Sequence, residues 1–304
     1  MALNKEIWLN TIQENFFPDD SFVVKSIDDS QFVNNKTVHV PNAGAPSGVV
    51  INRTDSAKGA NSGMARRTDN DLTYSIDELT TNPVYLPEIE MVELSYDKRQ
   101  SLLANDRQQL QDTAAQNLLY NWYVKANAIE TTGSARACHT SSTATGTRKA
   151  ITKLDVLAIA TEFNKMNVPA EGRYLLLDAV MYADLLDALT GTELSAFLAS
   201  ANAQAGTVGR LFGIDILTRS QVLKCKANKD LLKYTDTAIA AECAVGLAWQ
   251  KTCVSRALGE LKMFACTDDP NWYGDMYSFL LREGGSPRRY DKLGIIPLVE
   301  VATS

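Results

Sequence analysis

The chain has 304 residues, 45% of them hydrophobic, enough for one large core or two ordinary ones. A net charge of -6 and a sequence pI near 5.1 exclude a protein that coats duplex DNA, because phosphate binding needs a dense basic face. No apolar run approaches the roughly 18 residues of a membrane span, and the N-terminal stretch MALNKEIWLNTIQENFF has no signal-peptide core.

In chain order, residues 4–17 are compatible with a short amphipathic helix, with Ile7, Trp8, Ile12 and Phe16 on one side. Pro18 ends it, and PDDSFVVKSIDDSQFVNN reads as an extended arm. Residues 36–41 alternate as a strand, with Val38 and Val40 on one face. Residues 42–70 are rich in Gly, Ala, Ser and Asn, and DLTYSIDEL then alternates cleanly through Leu72, Tyr74 and Ile76. These features predict a two-stranded arm with a tip between Val40 and Asp71. Such a hairpin is marginal alone and needs a surface to lie on, although a disordered surface loop has the same composition. A further strand over 84–94 leads into the next element.

Residues 95–129 contain neither Gly nor Pro and are mostly good helix formers, so they predict one long helix. At 1.5 Å per residue it spans roughly 50 Å. Apolar residues are sparse at first (Leu102, Leu103, Leu110). They then become dense: Ala114, Ala115, Leu118, Leu119, Trp122, Tyr123, Ala126 and Ile129. The first half is therefore expected to be largely uncovered and the second half packed. Such a helix suits the core of an ordinary α+β enzyme or a strut in a plate-like subunit.

TTGSARACHTSSTATGTRKA reads as a small-residue linker. From Ile151 helices and strands alternate. Thr152 and Asp155 form a capping pair, and Leu154, Leu157, Ala160 and Phe163 mark a helix. RYLLL is a buried strand, helices are expected over 180–189 and 194–203, and GIDILTR and CAVGLAW are strands. Residues 151–256 thus form a compact α/β unit. Strands over 258–265 and 276–281 flank the turn CTDDPNWYGD, and a last strand covers 293–301. These C-terminal strands are expected to return to the long helix.

No catalytic constellation appears. The two histidines, His39 and His139, lack metal-ligand spacing, and Cys138-His139 falls in the linker, where a solvated loop is expected. There is no GxSxG elbow, and GTVGRLFG lacks both the P-loop lysine and GxGxxG spacing. Calcium-loop patterns starting at Asp69 and at Asp269 each fail at the twelfth position. The five cysteines are odd in number and widely spaced, which fits free thiols. No cofactor or metal is expected. The pairs Arg66-Arg67 and Arg288-Arg289 are basic patches suited to acidic partners. Asp268, Asp269, Trp272 and Asp275 belong to a turn between strands, where aromatic and acidic residues suit an interface.

Three segments, in this order, resemble the major capsid proteins of tailed bacteriophages, which have the Hong Kong 97-like fold. They are VPAEGRYLLLDAVMYADLL (168–186), GTVGRLFGIDILTRSQV (206–222) and the stretch from AVGLAWQKTCVSRALGELKMF to the end of IIPLVEV (244–301). The resemblance implies an α+β chain with no active site. Residues 1–35 are the N-terminal arm and 36–93 an extended β-hairpin loop reaching over a neighbour. Residues 94–150 are the peripheral domain with its spine helix and 151–256 the compact α/β axial domain. Residues 257–304 are C-terminal strands completing the peripheral domain. It further implies hexamers and pentamers tiling an icosahedral shell around packaged double-stranded DNA that is contacted only weakly. The shell is assembled in the host bacterial cytoplasm with a portal and, in some relatives, a decoration protein. Only about 35 residues precede the arm, so scaffolding is expected from a separate protein. Two other readings stand beside this one: an encapsulin-like compartment shell, and a soluble α/β enzyme with an unrecognised site.

Overall fold

The computed structural model describes residues 19–34, 36–46, 49, 51–52, 67–87, 98–202, 204, 206–233, 235–269 and 273–303. The expected amphipathic helix over 4–17 lies outside these residues.

The long helix, α1, runs from Lys98 to Trp122, 25 residues. That is about 37 Å, shorter than expected. Its predicted start, 95–97, lies outside the described residues. Its end is earlier than propensity alone dictates, because tertiary bonds take over. The Trp122 indole N–H donates to Ser255 O at 2.9 Å. Val124 then turns extended, and the Asn127 side chain donates to the carbonyls of Lys292 (2.9 Å) and Ile295 (3.0 Å). Ile129 leaves as a strand residue opposite Leu298. Coverage of the helix is uneven, as expected. Leu102 and Leu103 are half-buried, whereas Leu110, Ala114, Ala115, Leu118, Leu119 and Trp122 are buried.

This helix lies on a six-stranded sheet built around the strand Gly274–Pro287. A Cβ on Gly285 would sit 2.5 Å from Leu118 Cδ2, so glycine is what lets helix and strand approach so closely. One edge of Gly274–Pro287 pairs with Asp77–Thr80 and Val84–Pro87, and the other with Val254–Leu258 and Lys262–Asp269. The predicted hairpin is present: Thr37–Asn42 pairs antiparallel with Asn70–Ser75. Its root does not wait for a neighbour. Val38, Val40, Tyr74 and Ile76 pack on Ala257 of the same chain.

The α/β unit is an eight-stranded sheet with Cys243–Gln250 at its centre. Arg173–Asp178 and Ile295–Val299 pair on opposite edges of that strand. The last strand therefore enters the α/β sheet, whereas Gly274–Pro287 does return to the long helix, with Lys262–Asp269 paired beside it. Every residue of IIPLV is buried, which only a sheet covered on both faces can satisfy. Around it stand α2 (Lys153–Lys165), α3 (Ala179–Asp187) and α4 (Gly191–Ala199). The Thr152–Asp155 capping box starts α2 as expected. Its buried face differs from the expected one: Val156, Ile159, Ala160 and Phe163 face the core, while Leu154 and Leu157 are 62% and 41% exposed.

Two segments expected to be loose are folded. Residues 19–34 form two short 3-10 turns, Ser21–Lys25 and Ser30–Phe32, around the strand Ile27–Asp28. Phe22 is buried edge-on to Trp122 (6.1 Å) and Trp249 (6.3 Å), and so joins the helix layer to the α/β sheet. The small-residue stretch after α1 holds the hairpin Ala135–Ala137 with Thr147–Lys149, and Arg148 is buried against the Glu242 carbonyl.

Candidate assembly surfaces

The residues singled out from the sequence divide by what they already touch. Arg66 and Trp272 lie outside the described residues. Arg67 is exposed and its Nε is 2.6 Å from Asp69 Oδ1. The hydrogen bond from Arg67, seconded by Gly44 N–H, holds the Asp69 carboxyl below its usual range. Asp268 and Asp269 end the strand Lys262–Asp269, and Asp269 stands opposite Gly274, so both belong to a strand and not to the turn expected over 266–275.

Asp275 differs from its expected place on an exposed tip. It is 4% exposed and accepts the Tyr277 hydroxyl at 2.7 Å. Position 275 is the second residue of the long strand, directly opposite Leu86, so strand pairing covers it.

The arginine pair at 288–289 is committed within the chain. Arg288 Nη2 reaches Asp29 Oδ1 at 3.3 Å, and Arg289 bridges Asp291 through both Nε (2.9 Å) and Nη2 (2.5 Å). Burial pushes the Asp29 carboxyl up, with Arg288 acting against that. The Arg289 hydrogen bond holds Asp291 below the usual carboxylate range. Both arginines carry an ion pair within their own subunit while staying partly exposed.

Two clusters carried no local sequence signal. Arg219, 3% exposed, clamps three parts of the molecule. Its Nη1 donates to Gln116 Oε1 (2.6 Å) and Gln221 O (2.7 Å), and its Nη2 to Asp20 Oδ1 (3.1 Å) and to Asp112. The N-terminal segment, the long helix and the α/β sheet therefore meet on one guanidinium. Burial raises the Asp20 pKa, and Arg219 opposes the shift.

The second cluster surrounds His139, which is not in a solvated loop. Its Nε2 is 2.8 Å from Asp178 Oδ2 and its Nδ1 is 3.7 Å from Glu300 Oε2. Burial disfavours the imidazolium, but Asp178 and Glu300 outweigh it, so the pKa is raised. Burial pushes Glu300 up to about 8. Asp178 also caps α3 through the N–H groups of Val180 and Met181. Asp178 holds one ring nitrogen in a hydrogen bond, and Glu300 lies just beyond hydrogen-bond distance of the other. Its role is a joint between the strand end, α3 and the C-terminal strand.

No group of three or more His, Cys, Asp or Glu among the described residues could hold a metal ion. A cleft of about 540 Å³ runs between the long helix and the α/β unit, lined by Asp112, Tyr120, Leu223 and Lys233 among others. None of the five cysteines is disulfide-bonded. No helix of the described residues is long and apolar enough to cross a membrane.

No family model matches the sequence, and no curated protein does. The fold does match solved structures over nearly the whole chain. A structure titled as the capsid of Ralstonia phage GP4 superposes with a TM-score of 0.70 at 12% identity, covering 99% of this chain and 96% of that one. The capsid structure of cyanophage P-SCSP1u gives 0.69 at 17% identity, covering 99% and 94%. The head structure of Helicobacter pylori bacteriophage KHP40 gives 0.62 at 11% identity, covering 99% and 95%. The chain therefore has the α+β, Hong Kong 97-like fold found in these capsids.

Proposed function

We propose that the chain is a major capsid protein that self-assembles into hexamers and pentamers of an icosahedral phage head around double-stranded DNA. The observation that carries this reading is the end-to-end structural match to capsid chains, with almost no residue left over on either side. The half-covered helix agrees with a structural role. The net charge of -6 suits a lining that releases DNA readily. Partners are further copies of the chain, a separate scaffolding protein, a portal and, in some shells, a decoration protein. The protein works in the virion after assembly in the host cytoplasm.

Expression with candidate scaffolding proteins, followed by negative-stain microscopy and sedimentation, tests this. Rings and closed shells are expected. A strict monomer at every salt and protein concentration would overturn it. Particles that enclose protein cargo in place of nucleic acid would reassign the chain to a compartment shell.

A further inference from the structure

Two of the cysteines face each other across a strand ladder. Leu223–Cys225 pairs antiparallel with the first three residues of the central strand, and the register sets Cys225 directly opposite Cys243. Opposed residues put their side chains on the same face. Both thiols accordingly belong to the core cluster shared with Leu118, Leu119 and Trp122, and they are 0% and 2% exposed. Opposed Cα atoms in an antiparallel ladder are about 4.5–5.5 Å apart, inside the window of about 4.4–6.8 Å that a disulfide spans. The backbone therefore holds the pair at a bridging distance while both sulfurs are still thiols.

The two sulfurs are not equivalent. Arg148 donates from Nε (3.1 Å) and Nη2 (2.8 Å) to the Glu242 carbonyl, which sets a guanidinium beside Cys243. The facing Cys225 thiol and this guanidinium lower the Cys243 pKa, and burial opposes them. The Cys243 sulfur and burial push Cys225 up. Cys243 is thus the more nucleophilic sulfur, and Cys225 is the thiol placed to resolve it. On its outer side Leu223–Cys225 is covered by the two-residue strand Leu231–Leu232. A ladder this short opens locally without unfolding the sheet, and a small oxidant then reaches the pair.

We infer that Cys225 and Cys243 are a site of reversible oxidation, forming a disulfide within the subunit when the protein meets a peroxide. The Cys243 thiolate attacks one peroxide oxygen and breaks the O–O bond. This leaves a sulfenic acid and a hydroxide, which takes up the proton that Cys243 released. The Cys225 sulfur then attacks the Cys243 sulfur and displaces its hydroxyl, which leaves as water with the Cys225 proton. In all, two thiols give up two electrons and two protons, and one hydrogen peroxide becomes two waters. A dithiol reverses the bond by exchange. The bond closes a loop of roughly 18 residues and ties the sheet edge to the central strand, so the oxidised subunit resists heat better. The chemistry belongs to a single subunit. Its timing rests on the shell reading: the reduced chain assembles in a reducing cytoplasm, and the released particle meets oxidants.

Peptide mapping of the full chain tests this. The protein is treated with hydrogen peroxide until the exposed Cys266 thiol is consumed, then quenched with catalase, denatured and alkylated. A peptide linking Cys225 to Cys243, lost on treatment with dithiothreitol, is expected. The melting temperature should rise by about 5 °C on oxidation and fall back with dithiothreitol. Cys225→Ser should lose both the link and the rise. If Cys225 and Cys243 are both still alkylated once Cys266 has reacted, the inference is overturned. So it is by a link from Cys243 to Cys138, whose thiol donates to Glu242 O at 3.4 Å. The mapping needs only the wild-type chain, so it decides the matter even if the serine variant fails to fold. A chain that forms neither rings nor shells overturns the shell reading, while the link still reports on the pair.

Discussion

In the α/β unit, the strand Cys243–Gln250 is flanked on both edges and all eight of its residues are buried. In the helix layer, Lys262–Asp269 pairs with Gly274–Pro287, and its first five residues are exposed. The two regions come from one chain of ordinary composition, so the contrast is one of placement. The α/β unit closes its hydrogen bonds and apolar faces within the subunit. The helix layer closes only the half nearest that unit, where Leu118, Leu119 and Trp122 pack, and carries its uncovered parts outward. Stability should therefore be concentrated in the first region and intersubunit contact in the second.

The largest expected effect is at the joint between them. Arg219→Ala leaves Asp20 and Asp112 without their shared cation and should destabilise the chain by about 3–5 kcal/mol. Thermal and urea unfolding would measure it, and an unchanged midpoint would show that the two regions hold together without the clamp. A close second is Phe163→Ala in the α/β core, expected to cost about 3–5 kcal/mol. Leu102→Ala on the half-covered part of the helix should cost less than about 1 kcal/mol. Equal losses from these two leucine and phenylalanine truncations would erase the contrast.

Acidity offers a finer test. Glu283 is buried under the helix, with Asn117 Nδ2 3.4 Å from Oε2, and burial pushes its carboxyl up to about 8 from the ordinary 4.5. Because the folded value lies above the unfolded one, the native state holds the extra proton. The stabilising contribution is full below the ordinary carboxylate range and is lost as pH rises through about 8. Glu283→Gln should stabilise the protein by about 1–3 kcal/mol above that pH and weaken the decline in stability from acid to alkaline conditions. Glu300 in the α/β unit shifts the same way, so part of the slope should survive. Melting curves between acidic and alkaline buffers measure both. The smallest effect expected is none at all: reductant should leave assembly unchanged, because no cysteine is paired. Particles lost on adding it would reveal a disulfide between subunits.

What could be read from the sequence follows the range of the forces involved. The hairpin strand through Leu72, Tyr74 and Ile76 was legible because alternation is a local signal of a half-buried strand. So was the capping box at Thr152, whose members are three residues apart. The end of α1 was not, because Asn127 is captured by carbonyls 165 and 168 residues away. On α2, two apolar periods overlap, and the sequence cannot say which of Leu154 or Val156 faces the sheet. The composition after α1 hid a buried arginine and histidine whose partners, Glu242, Asp178 and Glu300, are remote in the chain. A strand was legible over 258–265, but not the break inside it: Val254–Leu258 and Lys262–Asp269 are separate strands set by their partners on Gly274–Pro287.

The aromatic joint has an optical consequence. Trp122 from the long helix and Trp249 from the central strand lie 5.7 Å apart, sealed by Phe22 from the N-terminal segment. Each indole comes from a different layer, both belong to one core cluster, and neither is in contact with solvent. With Trp8 and Trp272 replaced by phenylalanine, their emission would report on the contact between the two layers. Any rearrangement that turns one layer on the other must separate this pair and admit water, and a subunit tilted in a strained ring would carry a different colour from one at rest.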